Sequence, residues 1–320
     1  MSLTSLEICS GAGGQALGLE MAGFDHSALV EIEPAARATL RLNRPFWNVI
    51  EGDQCDLHKF DGRPYKGIDL LAGGVPCPPF SKAGKQLGSS DERDLFPQAI
   101  RLVDECRPKA VMLENVRGLL DAVFDDYRNK VEKQLKKLGY TPGWHLLNAS
   151  DYGVSQLRPR VVFVGIREDL AEHFAWPEPN RDEPPTVGEL LNDLMKSRGW
   201  RGADRWRKGA NSIAPTLVGG SKKHGGPDLG PTRAKRAWEA LGVDGMGLWD
   251  EAPARNFVGM PRLTTRMTAR IQGFPDTWSF AGKKTAAYRQ IGNAFPPPVA
   301  AAVARKIFCA LSAKRLFEVA

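Results

Sequence analysis

No stretch of this 320-residue sequence is apolar and long enough to cross a bilayer. The first ten residues, MSLTSLEICS, lack the charged and apolar regions of a secretory leader. Internal repeats and low-complexity tracts are also missing, which argues against a repeat architecture. These absences favour a cytoplasmic globular protein without a membrane partner, long enough for one large domain with an insertion or for two domains.

Cysteine is scarce and scattered. The five cysteines are Cys9, Cys55, Cys77, Cys106 and Cys309. Their number is odd, and no two of them have the Cys-x-x-Cys spacing of metal sites. This pattern argues against a disulfide framework and against a bound metal, and it favours reduced thiols. Most buried cysteines are inert packing residues, so each needs an independent reason to be considered reactive.

Acidic residues are fewer than basic ones, and the net charge is +7. The excess is concentrated between residues 196 and 236, which contain eleven Lys and Arg residues and only two acidic residues, Asp204 and Asp228. That segment is therefore +9, which leaves −2 for the rest of the chain. Such a segment is typical of a surface that binds a polyanion, although a solvated surface region has the same composition.

The first half of the sequence alternates between short apolar runs and helical patterns. The runs are SLEI, SALVEI, IDLLAGG, KAVMLEN and RVVFVGI, and the helical patterns cover residues 14–22, 34–43, 94–106 and 124–138. This alternation predicts an α/β fold with a doubly wound, mostly parallel sheet. Ligands of such sheets bind at the carboxyl ends of the strands.

The alternation ends near residue 176, where Pro-rich, Gly-rich and basic stretches begin. Order returns near residue 260, where TTRMTARIQGFP predicts a short helix and PPPVAAAVARKIFCALSAKRL predicts a final one. We therefore predict a smaller, irregular domain over residues 176–283, inserted into a larger domain formed by residues 1–175 and 284–320.

A glycine-rich turn, GAGG at residues 11–14, follows the first predicted strand and leads into a helix. Such a turn often brings backbone N–H groups close to a nucleotide, although many purely structural turns share the pattern. Glu31 ends the second strand, where an acid can bind ribose hydroxyls. Asp53 ends the third, where it could accept from an adenine amino group. These strand ends describe an adenosine-shaped site, which NAD and an oxidoreductase also fit.

The stretch CPPF at residues 77–80 allows two interpretations. It is similar to the Asp/Asn/Ser-Pro-Pro-aromatic tetrapeptide of enzymes that methylate exocyclic amino groups of bases. The first residue there accepts hydrogen bonds from the amine, and a thiol is a poor acceptor. Read from Pro76, the stretch is PCPPFS, a rigid mount for a nucleophilic thiolate.

Four further motifs follow GAGG in a fixed order. They are GGVPCPPFSKAGKQ (73–86), LENVRGL (113–119), SQLRPRVVFVG (155–165) and YRQIGNAFPPPVAAAVA (288–304). The series closely resembles the DNA cytosine-5 methyltransferases of bacterial restriction–modification systems, over nearly the whole chain except roughly 176–258. The resemblance implies a Rossmann-like methyltransferase domain that uses S-adenosylmethionine. It also implies that the basic segment belongs to a smaller DNA-recognition domain.

The resemblance implies a catalytic set of four residues. Cys77 is the nucleophile that adds to carbon-6 of cytosine, because carbon-5 attacks a methyl sulfonium only in the resulting enamine. Glu114 holds or protonates nitrogen-3 of the ring and contacts the exocyclic amine. Arg158 is similar to the arginine that orients the cytosine carbonyl and the glutamate. Arg160 is similar to its partner, which steadies the catalytic loop.

The resemblance also implies a set of cofactor-binding residues. The turn glycines fit the methionine end of the donor, Glu31 the ribose and Asp53 the adenine. The whole set is Cys9, Gly11, Ala12, Gly13, Gly14, Glu31, Ile32, Asp53, Gln54, Pro76, Asn293 and Ala294. Cys9 stands where relatives carry an aromatic residue against the adenine, so Ile32 is expected to compensate.

For DNA, the resemblance implies that the target cytosine flips out of the duplex, since its carbon-5 is otherwise hidden in the stack. Ser81 is similar to the serine that grips a phosphate beside the flipped base. In the basic segment we expect Lys222, Lys223 and Arg233 to contact DNA. The expected partner is double-stranded DNA, bound by a monomer without metal. A cognate restriction endonuclease would act on the same site without needing to bind this chain.

Besides Cys9, two departures from the family pattern and three alternatives stay open. Pro78 replaces the usual Gln of PCQxFS, and Met267 replaces an acid that is common in its helix. A related tRNA cytosine-5 methyltransferase would share the catalytic residues, although the long basic insertion favours a duplex. A catalytically silent DNA-binding protein has no need of Cys77, Glu114 and Arg158 together. An NAD-dependent oxidoreductase gives no role to PCPPFS or GNA.

Overall fold

The computed structural model describes residues 2–76, 94–220 and 226–318. The chain divides into two compact units. The first unit consists of Met1–Leu147, Pro159–Glu178 and Ala300–Ala320, and the second of Asn148–Arg158 and Pro179–Val299. This division differs from the predicted domain boundaries mainly at residues 148–158 and 284–299, which group with the second unit.

A six-stranded sheet forms the centre of the first unit. Its strands are β1 (Leu3–Ile8), β2 (Phe24–Val30), β3 (Leu70–Gly73), β4 (Ala110–Val116), β5 (Tyr140–Asn148) and β6 (Pro159–Arg167), in the spatial order β2-β1-β3-β4-β6-β5. β1 pairs in parallel with β2 and β3, and β3 with β4, whereas β6 runs antiparallel to β4. The predicted α/β class with a doubly wound, mostly parallel sheet is confirmed.

Ten α-helices lie within the described residues. They are α1 (Gly14–Met21), α2 (Pro34–Asn43), α3 (Phe96–Cys106), α4 (Asp125–Lys137), α5 (Val187–Lys196), α6 (Ala203–Gly209), α7 (Thr232–Glu239), α8 (Thr265–Ile271), α9 (Lys284–Asn293) and α10 (Pro297–Glu318). The first four match the predicted helices to within two residues at each end. The short helix and the final helix of the prediction are α8 and α10.

Burial on both faces of the sheet explains the continuous apolar runs of the sequence. Every residue of β3 is buried, and β4 is buried through Asn115. On one face, Leu71 and Val111 pack in a single hydrophobic cluster with Phe96 of α3 and Val131 of α4. This packing fixes the strands whose ends carry the predicted site residues.

Sequence patterns missed β5 and four helices of the second unit, α5, α6, α7 and α9, for local reasons. β5 contains Pro142 and Gly143, which are disfavoured in strands but tolerated at the edge of a sheet, where β5 lies. α5 follows a Pro-rich run that hid its start, which is a capping box. There the Thr186 hydroxyl accepts from the Glu189 N–H, and the Glu189 carboxylate accepts from the Thr186 N–H.

One stretch, 284–313, is long and apolar enough by length and composition to cross a membrane, which corrects the expectation that no stretch of the sequence is. It consists of α9 and α10, interrupted between residues 293 and 297, and 61% of its apolar window is buried in the structure. Phe308 of α10 packs edge-on against Phe24 of β2, with 5.5 Å between the ring centroids. This packing is that of a core helix in a globular protein.

Glu7 is an acidic residue within β1 that has no exposed surface. Among the described residues, neither carboxyl oxygen has a hydrogen-bond partner. Burial, and then the charge of Glu31, raises the pKa of the Glu7 carboxyl well above its ordinary value of 4.5. The folded protein therefore keeps a proton on Glu7 over a pH range in which the unfolded chain has lost it.

We expect Glu7→Gln to remove a pH-dependent loss of stability. The raised pKa of Glu7 makes the wild type less stable as the pH rises from 4.5 through the folded-state value, and this loss persists at higher pH. In urea titrations at pH 5 and pH 8, the stability of Glu7→Gln relative to wild type should therefore rise with pH.

The exposed Glu239 provides the control, because Glu239→Gln should change stability by at most about 0.5 kcal/mol at either pH. A relative stability of Glu7→Gln that stays constant or falls with pH would mean that Glu7 is ionised in the fold.

Candidate active site

Four strand ends bring the predicted residues of the first unit to one edge of the sheet. Ile8 at the end of β1 pairs with Val30 of β2 and with Gly73 of β3, and Gly73 pairs with Leu113 of β4. Because these strands are parallel, the segments that follow them emerge at the same edge. Those segments are 9–14, 31–33 and 74–76, and residues 114–115 lie within the last part of β4 at the same edge.

The glycine-rich turn after β1 adopts left-handed backbone conformations. φ is +51° at Cys9, +53° at Gly11 and +85° at Gly13, the residue that precedes α1. Ala12 is buried, and Gly14 is the first residue of α1. The first N–H groups of a helix have no partner within the helix, so the N-terminus of α1 favours an anionic group.

Glu31 is held at the end of β2 with only 6% of its surface exposed. Its two carboxyl oxygens accept from the N–H groups of Gly11 and Glu33, each at 2.7 Å. Burial raises the pKa of the Glu31 carboxyl, and these two hydrogen bonds reduce the rise. Since a carboxylate accepts about four hydrogen bonds, Glu31 ties the turn to β2 and keeps capacity for ligand hydroxyls.

Asp53 follows a single bridge rather than the end of a strand, which corrects the prediction. Val49 pairs in parallel with Leu29 of β2 at that one position. The Asp53 side chain is 87% exposed and lies 3.5 Å from Lys59. Its carboxylate is therefore accessible to a ligand, at the outer edge of β2.

Two other predicted cofactor residues differ in how freely they can meet a ligand. The side chain of Ile32 is exposed and offers an apolar surface directly after Glu31. Gln54 donates to the carbonyl of Lys59 and accepts from the N–H of Asp61, so its carboxamide is engaged within its own loop. Of the two, Ile32 is the better placed to contact a base.

Two of the described cysteines are poor nucleophiles. Burial raises the pKa of the Cys9 thiol far above its ordinary value, and two nearby glutamates raise it further. Burial also raises the pKa of Cys106 to about 12. Both thiols stay protonated at neutral pH, and only a thiolate attacks. Cys77, like Ser81, lies outside the described residues. Within those residues, no group of three or more potential metal ligands occurs.

A nearly buried ion pair occupies the end of β4. Nε of Arg160 lies 2.8 Å from Oε1 of Glu114, and the two side chains are 13% and 11% exposed. Arg160 opposes Val116 in the antiparallel register, so Glu114, two residues away, shares its face of the sheet. A Cβ at Gly74 would meet Oε2 of Glu114 at 3.4 Å, so the carboxylate lies beside the segment that leads to Cys77.

This pairing corrects the roles expected for the two arginines. The sequence interpretation gave the contact with Glu114 to Arg158, but the ion pair is made by Arg160. Arg158 lies in the second unit, where it is fully buried and donates to three main-chain carbonyls. The strand alternation that puts Arg160 on the face of Glu114 begins only at Pro159.

Hydrogen bonds tether the backbone just before Cys77. Nδ2 of Asn115 donates to the carbonyl of Val75 at 2.9 Å, and the N–H of Leu95 donates to the carbonyl of Pro76 at 3.2 Å. The asparagine of the ENV motif therefore has a positioning task that the sequence interpretation missed. The signal for this task in the sequence was an asparagine directly after the predicted catalytic acid.

The remaining predicted residues belong to the second unit. Asn293 ends α9 and is exposed, and its Nδ2 lies 3.4 Å from the carbonyl of Gly220. Ala294 follows it and is partly buried. Arg233 is exposed in the first turn of α7.

Basic charge is concentrated in the second unit. This unit holds 20 Lys and Arg against 12 Asp and Glu, a net +8, so the first unit carries −1 of the total of +7. Lys222 and Lys223 contribute to this count but lie outside the described residues. A local excess of this size attracts a polyanion and speeds its association.

The sequence profile of the C-5 cytosine-specific DNA methylases matches residues 3–309, and the chain belongs to this family. It is a DNA cytosine methyltransferase of the type II restriction–modification class. It is 63% identical over 314 residues to Type II methyltransferase M.NgoMIV of Neisseria gonorrhoeae, covering 97% of this chain and 99% of that protein. It is 57% identical over 314 residues to Type II methyltransferase M.NaeI of Lentzea aerocolonigenes, covering 97% and 76%.

Solved structures share the fold at low sequence identity. A prophage-encoded DNA modification methyltransferase of E. coli aligns with a TM-score of 0.67 and 24% identity, covering 97% of this chain and all of that one. Spodoptera frugiperda DNMT2 aligns with a TM-score of 0.63 and 20% identity, covering 96% and 100%. At this identity the likeness concerns the fold alone.

We expect Arg160 and Glu114 to act as one unit in methyl transfer. Glu114→Gln should lower kcat/KM by about 10²- to 10⁴-fold, the usual contribution of a positioned acid. Arg160→Ala should have a comparable effect, because it leaves the carboxylate without its orienting cation. The double variant should then fall short of the sum of the two losses by about 0.5–3 kcal/mol.

The measurement is the rate of methyl transfer to duplex DNA by the four proteins of the cycle. Arg167→Ala is the matched control, since Arg167 lies on the same strand but pairs with Asp169 at an exposed position. Strictly additive losses would contradict a functional Glu114–Arg160 pair.

Proposed function

We propose that the protein transfers the methyl group of S-adenosylmethionine to carbon-5 of a cytosine flipped out of duplex DNA, through a covalent Cys77 adduct at carbon-6. The observation that carries this proposal is the Glu114–Arg160 ion pair beside Gly74, three residues before Cys77. Activation of a cytosine ring requires an oriented carboxylate close to the segment that carries the nucleophilic thiol.

The chemistry assigns one task to each residue. The Cys77 thiolate adds to carbon-6, and the electron pair of the 5,6 double bond moves into the ring. Glu114 stabilises this charge at nitrogen-3, so carbon-5 becomes an enamine carbon. S-adenosylmethionine, when bound, would supply an electrophilic methyl group to carbon-5, with the S–CH3 bond breaking to leave S-adenosylhomocysteine. Loss of the carbon-5 proton to a base and expulsion of Cys77 then restore the double bond and the thiolate.

Residues at the carboxyl edge of the sheet fit the methyl donor. Glu31 keeps acceptor capacity for ribose hydroxyls, and Ile32 offers an apolar surface for the adenine. Asp53 is accessible for the adenine amino group. The glycine turn and the N-terminus of α1 suit the carboxylate of the methionine end. Asn293, a residue of the second unit, remains a predicted contact of the donor.

DNA binding is assigned mainly to the second unit. Its net charge of +8 suits phosphates, and Arg233, Lys222 and Lys223 are proposed to contact them. Ser81 is proposed to hold the phosphate beside the flipped base. Sequence specificity then requires side chains that meet base edges in the major groove, where all four base pairs differ.

The biological role follows from the relatives named type II methyltransferases. We propose that methylation protects host DNA from a cognate endonuclease that recognises the same site and need not bind this protein. A single chain carries all of the proposed catalytic groups, so a monomer suffices. Its place of action is the cytoplasm, where the DNA substrate lies.

We expect DNA with 5-fluorocytosine at the target site to trap the enzyme covalently through Cys77. Fluorine cannot leave carbon-5 as a cation, so the adduct persists after methyl transfer. The wild type incubated with such DNA and S-adenosylmethionine should form a complex that survives denaturing electrophoresis.

Cys77→Ala should abolish the complex, whereas Cys309→Ala, which changes an exposed cysteine in α10, should not. Formation of the same adduct by Cys77→Ala would refute the proposed mechanism.

A related tRNA methyltransferase activity is the main alternative, because it would use the same catalytic residues. With labelled methyl donor, we expect transfer to duplex DNA and none to tRNA, since the basic second unit suits a duplex. Label found on tRNA alone would reverse the assignment of the substrate.

A further inference from the structure

The loop formed by residues 254–260 of the second unit presents side chains to solvent. Arg255, Asn256 and Val258 are exposed, and 90% of the surface of Val258 is accessible. Within the described part of the chain, neither the Arg255 guanidinium nor the Asn256 carboxamide has a hydrogen-bond or ion-pair partner. The donors of both side chains are therefore open to a ligand.

Surface loops are usually more mobile than the elements that they connect, but hydrogen bonds fix the backbone of this one. The N–H of Phe257 donates to the carbonyl of Ala254 at 3.0 Å, which closes a turn. Nε1 of Trp200 donates to the carbonyl of Phe257 at 2.9 Å. The N–H of Arg201 donates to the carbonyl of Arg255 at 3.2 Å. A neighbouring segment thus holds the loop at two points.

Aromatic packing supports the loop from below. The ring of Phe257 packs edge-on against Trp249, with 5.0 Å between the centroids, and at a tilt against Trp200, with 5.9 Å between the centroids. Trp200 itself is only 6% exposed. A loop anchored in this way binds a ligand without paying the full entropic cost of ordering its backbone.

Exposed cations continue from the loop along α6. Arg201, whose N–H bonds to the loop, lies just before α6, and Arg205 and Lys208 share the face of α6 opposite the buried Ala203 and Trp206. In the described structure none of these three cations has an ion-pair partner. Cations that no carboxylate neutralises suit the phosphates of a nucleic acid.

We propose that Arg255 and Asn256 are specificity-determining residues that hydrogen-bond base edges in the major groove of the DNA substrate. This inference rests on the proposed function, in which duplex DNA is the substrate. The Arg255 guanidinium suits O6 and N7 of a guanine, a pair of acceptors that no other base presents there. Asn256 follows directly, so it contacts the adjacent base pair.

The neighbouring residues take the tasks that base contacts leave. Arg201, Arg205 and Lys208 bind phosphates, which fix the position of the loop on the duplex but carry no sequence information. Val258 offers an apolar surface that suits the edge of a pyrimidine.

The test uses a library of randomised DNA duplexes, methylated by the purified protein and analysed by bisulfite sequencing. The wild type defines the recognition sequence, and kcat/KM is then compared between that sequence and duplexes with single base-pair changes. Arg255→Ala should lose discrimination at one G·C position by about 5- to 150-fold and keep it at the others. Asn256→Ala should lose discrimination at an adjacent position by a similar factor.

Arg198→Ala is the matched control, because Arg198 is an exposed arginine of the same unit that pairs with Glu251 at 2.6 Å. It should keep the wild-type preference at every position. Arg205→Ala should instead weaken binding to all sequences alike and reduce the slope of log Kd against log salt concentration by about 1.

A folded Arg255→Ala or Asn256→Ala that keeps the wild-type base preference would overturn the assignment of that residue. A loss of equal size for all sequences would also overturn it, since that is the behaviour of a phosphate contact. Both side chains are exposed, so the variants should unfold in urea as the wild type does. A wild type that forms no 5-methylcytosine in any duplex would instead refute the proposed function.

Discussion

The antiparallel pairing of β6 with β4 is the constraint on which the rest of the site depends. Strands β1 to β4 pair in parallel, so a strand that pairs with β4 brings its start to the carboxyl edge only when it is reversed. The start of β6 carries Arg160, and the end of β4 carries Glu114, so the reversal creates their ion pair. Residues 148–158 of the second unit directly precede β6 in the sequence, so the strand that carries Arg160 begins where the chain returns to the first unit.

Much of the fold was readable in the sequence because its buried strands are continuous apolar runs and its first helices have clear apolar periods. The residue identities of the site came from motif order, which needs no geometry. The division of labour between Arg158 and Arg160 was not readable, because it depends on where β6 begins and on which strand lies beside it. Nor were α5 to α7, whose short amphipathic patterns are hidden among Pro-rich and basic stretches.

Charge and burial differ between the first unit, which is proposed to carry out catalysis, and the second unit, which is proposed to bind DNA. The first unit is nearly neutral, and burial keeps its described thiols at Cys9 and Cys106 protonated, so neither competes for an electrophile. Glu7 and Glu31 are two buried acidic groups near the glycine turn, and burial raises the pKa of both. The second unit collects the positive charge that a polyanionic substrate requires. The tetrapeptide CPPF alone also suits an amino-group methylase. Glu114 and Arg160, which follow it in the sequence, are needed only for activation of the cytosine ring.

The central claim is therefore about which atom receives the methyl group. It is tested most directly by mass spectrometry of nucleosides from duplex DNA methylated by the purified enzyme, compared with synthetic standards. The account predicts 5-methyldeoxycytidine as the single new nucleoside. Detection of N4-methyldeoxycytidine or N6-methyldeoxyadenosine in its place would contradict it, because an exocyclic amine needs neither a thiolate at carbon-6 nor the Glu114–Arg160 pair.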